Sequence, residues 1–234
     1  MVVSLEISLL YIALCLVSSL ITIKFIISYY FYNIYKKQSK EYKNELILAI
    51  GLLFLLFGIG RIIFLYFDFF LTELNGSLFQ EYSTFWKFAS GFQYAGLIVF
   101  IYFAEKVIFN KKTKYLISLS LTILIIVSLS MPDFLLVQSL SGISSFISFI
   151  FIPFSYLYLV FTSSGKIRIK ALTIFFGFLL YGVGLVMLGE QIILTFLSYF
   201  PSSEILVRYS FQIISVLIKF CALVLFIYGF KEEK

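Results

Sequence analysis

Residues 46–70 read LILAIGLLFLLFGIGRIIFLYFDFF, and in these 25 residues Arg61 and Asp68 are the only charges. A helix crosses the hydrocarbon core of a bilayer with about 20 mostly apolar residues, so this stretch is expected to span a membrane. Six further segments have the same character: Ile7 to Tyr32, Phe85 to Phe109, Tyr115 to Met131, Leu135 to Phe161, Ala171 to Phe200 and Ile205 to Phe230. Hydrophobic residues make up 62% of the chain and charged residues 13%, with a mean hydropathy of +1.05. A soluble domain carries roughly a quarter charged residues. The chain therefore reads as an all-α, polytopic, multi-pass protein of the cell membrane, one domain over residues 1–234 with seven transmembrane helices.

The charges between the segments set the orientation. Lys36, Lys37, Lys40 and Lys43 follow the first segment, and Lys106, Lys111, Lys112 and Lys114 follow the third. Lys166, Arg168 and Lys170 follow the fifth, and Lys231 and Lys234 the seventh. The opposite loops carry Glu73, Glu81, Asp133 and Glu204 against Lys87 and Arg208. Basic loops stay cytoplasmic, so the N-terminus is expected outside and the C-terminus inside. The net charge of +6 is then this asymmetry plus attraction to anionic lipid, and nucleic acid is not an expected partner. Met1 to Glu6 lacks a basic leader region, so the first segment reads as a retained span.

Several chemistries are excluded by residue type. There is no histidine, which removes the commonest general base and metal ligand. Cys15 and Cys221 fall inside apolar segments and read as small packing residues. Asp68 and Asp133 stand at segment edges, no histidine exists for a Ser-His pair or a metal site, and the serines from Ser139 to Ser148 read as hydrogen-bonding across helices. No catalytic residue, metal site or cofactor is expected, and the protein reads as a non-enzyme. With short loops and no soluble module, any readout passes to a cytoplasmic or membrane signalling partner. The longest outer loop contains the turn signal Asn75-Gly76.

Two halves of the chain share short patterns in the same order. Gly58-Ile59-Gly60 matches Gly182-Val183-Gly184 (182 − 58 = 124), and Phe100-Ile101-Tyr102 matches Phe226-Ile227-Tyr228 (226 − 100 = 126). Phe92-Gln93 pairs with Phe211-Gln212 at 119, and Ser28-Tyr29-Tyr30 with Ser155-Tyr156-Leu157 at 127. These suggest a three-helix unit repeated in parallel around a linker helix, the fourth. The glycines, with Gly189, read as sites of close helix packing.

Charges within spans are the best functional signal, because each costs several kcal/mol unless paired or hydrated. Arg61 and Asp68 are two turns apart on one face of the second segment. Lys219 is near the middle of the last, with Gln212 two turns outward of it; Gln93 holds the corresponding place in the third, and Glu190 stands at the outer end of the sixth. Arg61, Gln93, Gln212 and Lys219 are therefore expected to line one outward-facing polar pocket for a small polar or anionic ligand, with Glu190 or Asp68 as counter-ion. The plain alternative is an ion-pair network that fixes packing. Lys24, near the inner third of the first segment, is expected to snorkel toward the cytoplasm.

The N-out, C-in arrangement and the Gly58-Ile59-Gly60-Arg61-x-x-Phe64-x-x-x-Asp68 run resemble seven-helix sensor and receptor proteins, in particular small archaeal seven-helix membrane proteins. That resemblance implies a membrane receptor that signals through a partner. The three-plus-one-plus-three pattern resembles the SWEET transporters, which makes a small-solute transporter the alternative, although Pro153 has no counterpart in the first segment. Lys219 resembles the retinal-binding lysine of microbial rhodopsins. Against that, Ser215 stands where that family commonly has an aspartate, and the sixth segment lacks its tryptophan and proline.

Overall fold

The computed structural model describes residues 2–38, 44–199 and 203–231. Lys40, Lys43, Lys234 and the end of the sixth segment at Phe200 lie outside the described residues. Eight α-helices are present among the described residues: α1 Val2–Lys37, α2 Glu45–Tyr66, α3 Ser83–Val107, α4 Leu116–Ser130, α5 Phe134–Thr162, α6 Gly165–Val186, α7 Glu190–Tyr199 and α8 Glu204–Phe230. Six of them, all but α4 and α7, are long and apolar enough to cross a membrane. This is the build of a multi-pass helical membrane protein.

The expected count of seven full-length spans differs from this in two places. The sixth expected span is broken. Leu188 and Gly189 donate backbone hydrogen bonds to Leu185 and Val186, tightening the last turn of α6, and Ile192 and Ile193 then bond to Gly189 to start α7. Gly189, Glu190 and Gln191 stand at the break, but the long apolar stretches on both sides make the segment read as one span. The fourth helix is real but has 15 residues, about 22 Å at 1.5 Å per residue.

Helix packing runs in chain order. α1 packs on α2, α2 on α3, α3 on α5, α5 on α6, α6 on α8, and α8 closes back onto α1. α4 lies outside this ring against α3 and α5. It runs the length of the bundle. The Glu105 carboxylate at the end of α3 accepts from Ile117 and Ser118 at the start of α4 (3.2 and 3.0 Å), while Lys87 Nζ near the start of α3 donates to Met131 at its end (2.5 Å).

The ring has one basic and one acidic end. At the basic end Lys106 pairs with Glu45 (2.7 Å) and Lys170 donates to the Lys231 carbonyl (2.6 Å). At the acidic end Asn75 accepts from Ser77 (3.1 Å), opening the short 3-10 turn Gly76–Leu78. Gln80 there accepts from Phe134 at the start of α5 (2.8 Å).

Glycines set the closest approaches. A Cβ on Gly60 would stand 2.7 Å from the Ala89 carbonyl oxygen on α3, and one on Gly184 would stand 3.0 Å from the Ser215 carbonyl oxygen on α8. Gly58 and Gly182 instead receive the rings of Phe25 on α1 and Phe149 on α5. Two sequence readings are corrected. Cys15 and Cys221 are exposed on the bundle surface instead of packed. The α5 serines mostly bond within their own helix, as Ser148 does to Ser144; the exception is Tyr94 on α3, whose hydroxyl donates to the Ser141 carbonyl (2.7 Å) and meets Ser145 Oγ (2.9 Å).

Candidate functional site

Gly60 brings α2 against α3 and turns the next residue, Arg61, into the ring, where it is 7% exposed. Seven residues on, α2 widens into a π-helical turn, Phe67–Leu71, in which Thr72 N–H bonds to the Phe67 carbonyl. Such turns insert one residue and re-aim side chains. Asp68, two turns from Arg61 and so on the same face, lies within this turn, and its Oδ2 meets Arg61 Nη1 at 3.3 Å. The contact uses one edge of the guanidinium. Arg61 Nε and Nη2 are buried and have no hydrogen-bond partner among the described residues.

On the other side of the ring, Ser215 Oγ donates to the Gly184 carbonyl, and the Lys219 side chain runs across Gly184, with Cγ 3.0 Å from where a Cβ would stand. Lys219 is 3% exposed and lies within electrostatic reach of Arg61, Lys24 and Asp68. Gln212, two turns toward the acidic end, is equally buried; its Nε2 has no partner among the described residues.

Lys24 departs from its sequence reading. It does not reach for the membrane surface but is 2% exposed, with Nζ 5.6 Å from the Phe57 ring centroid and 5.8 Å from that of Tyr181. A cation over two aromatic faces is held by their quadrupoles. Depth along α1 is readable from residue counting but facing is not: α1 turns Lys24 inward along with Leu20, Ile27 and Phe31.

Glu190 is engaged elsewhere. Arg208 holds it through two contacts (2.7 and 2.5 Å) and also holds Glu204 (2.8 Å), tying α7 to α8. Of the two expected counter-ions, Asp68 is the one beside Arg61. Gln93 is half-buried and packs on Gly60, its Cγ 2.9 Å from where a Cβ would stand. The structure thus gathers Arg61, Asp68 and Lys219, adds Lys24, and places Gln212 above them and Gln93 beside them. The group is enclosed in this conformation instead of lining an open mouth.

Aromatic rings bound it along the axis. Toward the acidic end Phe69, on the π-helical turn, stacks on Tyr209 of α8 (6.5 Å, 18°). Toward the basic end Phe57 meets Tyr181 (5.8 Å), and behind them Phe226 contacts Tyr181, Phe54 and Phe178 (6.3, 5.7 and 4.6 Å). Phe100 completes the layer against Phe178 (5.4 Å).

Two clefts lie away from this group. One of about 310 Å³ is an apolar groove between α1 and α2, around Phe25, Tyr29, Gly51 and Leu55. The other, about 220 Å³, opens at the basic end among Asn44, Tyr156, Lys170 and Phe230, and the buried Tyr156 hydroxyl has no partner among the described residues. Among the described residues no cluster of three His, Cys, Asp or Glu side chains is placed to hold a metal ion.

Compared with known proteins, the chain matches no family model, no curated protein and no solved structure. The functional reading therefore rests on this geometry.

Proposed function

We propose that the protein is a seven-crossing membrane sensor or receptor, N-terminus outside, that binds a small anion inside its ring and signals through a partner. One observation carries the reading. Two buried basic residues, Arg61 and Lys219, share one nearby carboxylate, Asp68, a third, Lys24, is buried within reach of both of them, and the orphaned atoms Arg61 Nε, Arg61 Nη2 and Gln212 Nε2 are all donors. A buried cation without a partner costs several kcal/mol. A group that has only donors to spare calls for an acceptor, and its positive excess calls for an anion.

The basic ends of α1, α3 and α8 and the start of α6 support the orientation by the positive-inside rule. The seventh crossing is α4, which runs between Glu105 and Lys87, the two ends of α3.

The contacts also support an internal repeat. Gly58 on Phe25 and Gly182 on Phe149 are related by 124 residues in both members, and Phe54 on Phe226 and Phe178 on Phe100 exchange under shifts of 124 and 126. Phe57 meets its own counterpart Tyr181. In this register Gln93 corresponds to Lys219, each lying over the second glycine of its pair, and not to Gln212.

Repeats of this kind place substrates between halves in transporters, which keeps a transporter as the second reading. The aromatic layer favours the sensor. From the acidic end one stacked pair, Phe69 and Tyr209, covers the cations, whereas toward the basic end the rings of Phe57, Tyr181, Phe226, Phe54, Phe178 and Phe100 fill the ring, none more than 3% exposed. The way in is short and the way through is plugged.

Thermal unfolding of the purified protein across a panel of small metabolites is the test, since a ligand that binds the native state raises apparent stability. An anionic metabolite is expected to stabilise, and Lys219→Met is expected to remove the effect. Stabilisation by neutral metabolites alone would overturn the anion assignment. Flux of the same ligand in proteoliposomes would replace the sensor with the transporter.

A further inference from the structure

Resting on that anion site, we infer the class of its occupant: a small oxyanion, carboxylate or phosphate-like, taken by two of its oxygens on the Nε–Nη2 edge of Arg61, with Lys219 supplying the second positive charge. Asp68 binds Arg61 through one oxygen and one edge nitrogen. An arginine and a carboxylate free to choose their geometry commonly form two parallel hydrogen bonds. Here the π-helical turn delivers one oxygen of Asp68 to Nη1 at 3.3 Å, and the side edge is left to point into the ring with two parallel N–H groups. Their spacing matches a pair of oxygens on one carbon, phosphorus or sulfur atom.

A halide is a poorer match. It is spherical, so it gains from an ammonium what it gains from a guanidinium, and Lys24 and Lys219 already provide ammonium groups. The planar fork of Arg61 distinguishes paired oxygens from a point charge. Charge sets the scale of the occupant. Arg61 is always charged, and each lysine beside it that holds its proton adds one positive charge, which a singly or doubly charged oxyanion offsets.

Enclosure sets the size. The Phe57–Tyr181 pair lies on the floor side and the Phe69–Tyr209 pair on the roof side of the buried Arg61 and Lys219, which favours an occupant of a few heavy atoms without a long tail. Gln212, on the roof side of Lys219 with a buried donor to spare, is placed to approach a further oxygen.

The test uses the full chain in detergent, unfolded thermally while sodium chloride is replaced by sodium acetate or sodium phosphate at constant ionic strength. Phosphate raises stability non-specifically by exclusion from protein surfaces, so the readout is the saturable part of the shift. Acetate or phosphate is expected to give a saturable rise. Arg61→Lys, which keeps the charge and loses the fork, is expected to raise the half-saturating concentration by roughly tenfold or more. Asp68→Asn frees Nη1, removes the competing charge and is expected to lower it.

A saturable rise with chloride alone, abolished in Lys219→Met, would leave the anion site standing and overturn the oxyanion assignment. If no anion in this series and no anionic metabolite stabilises the wild type, the anion site itself falls. Should Arg61→Lys not fold, Asp68→Asn decides: unchanged or weaker oxyanion binding overturns the inference.

Discussion

Phe57 of α2 and Tyr181 of α6 face each other with ring centroids 5.8 Å apart, and the ammonium of Lys24 stands over both. This three-residue contact joins helices from both halves of the chain at the floor of the cationic group. Each ring contributes about 0.5–2 kcal/mol toward tolerating a buried cation. Phe57→Leu is therefore expected to lower the thermal midpoint in detergent, while Lys24→Met, which removes the charge and keeps much of the volume, is expected to raise it. A double-mutant cycle should show strong coupling. Additive effects would remove the cation–aromatic account.

Gly60 and Gly184 admit no side chain without moving a backbone carbonyl on the facing helix. Gly60→Ala and Gly184→Ala should each destabilise by about 1–3 kcal/mol, the usual cost of overpacking. Gly142, with nothing within 4 Å of its Cβ position, is the matched control and should tolerate alanine. Equal melting of all three variants would contradict the packing described for α2 on α3 and α6 on α8.

Glu190 is the one anchor of α7 to Arg208 that uses both carboxylate oxygens. Glu190→Gln leaves Arg208 buried with the half-exposed Glu204 as its remaining partner. Loss of one member of a buried pair costs about 3–5 kcal/mol, and the exposure of Glu204 puts the expected loss near the lower end. Hydrogen exchange should accelerate first in residues 187–199. A uniform loss of protection over all helices would show that α7 is not held by this contact.

Single cysteines at Lys37, Lys111 and Lys166 should react with an impermeant thiol reagent only from the cytoplasmic side, and a cysteine at Ser77 only from outside, in a background lacking Cys15 and Cys221. The reverse pattern would invert the protein, and labelling of Lys111 and Ser77 from one side would remove α4 as a crossing.

Much of the fold is legible in the residues, because exclusion of charge from lipid is a composition-level constraint that acts over whole helices. The start of α2 and the end of α8 follow from it to within a residue. The interruption at Met187 to Gly189 does not, since its short signal, Gly189 followed by Glu190 and Gln191, stands between long apolar stretches that dominate the hydropathy of the whole segment.

Of the candidate site, the spacing of Arg61 and Asp68 puts them on one face, and the structure joins them. The π-helical turn that makes the contact single-edged has no sequence signature in Tyr66-Phe67-Asp68-Phe69. Of the two expected counter-ions, Glu190 goes to Arg208, 18 residues along the chain, and not to Arg61, because sequence spacing does not say which cation the fold brings near. Lys24 was misplaced for a related reason: depth along a helix is readable from residue counting, whereas the facing of a helix that is apolar on all sides is decided by its neighbours. Glu105, fully buried beneath the first turn of α4, would have been found by asking which acid could satisfy the amide groups of an uncapped helix start.

The length of α4 has a consequence for the lipid around it. As the proposed seventh crossing, α4 at about 22 Å falls about 8 Å short of a hydrocarbon thickness of about 30 Å, and mismatch costs fractions of a kcal/mol per Å. α4 stands outside the ring and turns Leu116, Leu119, Ile123 and Ile126 outward, so that cost falls on the acyl chains along one flank. The bilayer is expected to be pinched there and nowhere else around the molecule. Membrane thickness thereby becomes a variable that acts on this protein from one side, pressing on the α3–α5 seam that α4 covers and favouring residence where the bilayer is thin.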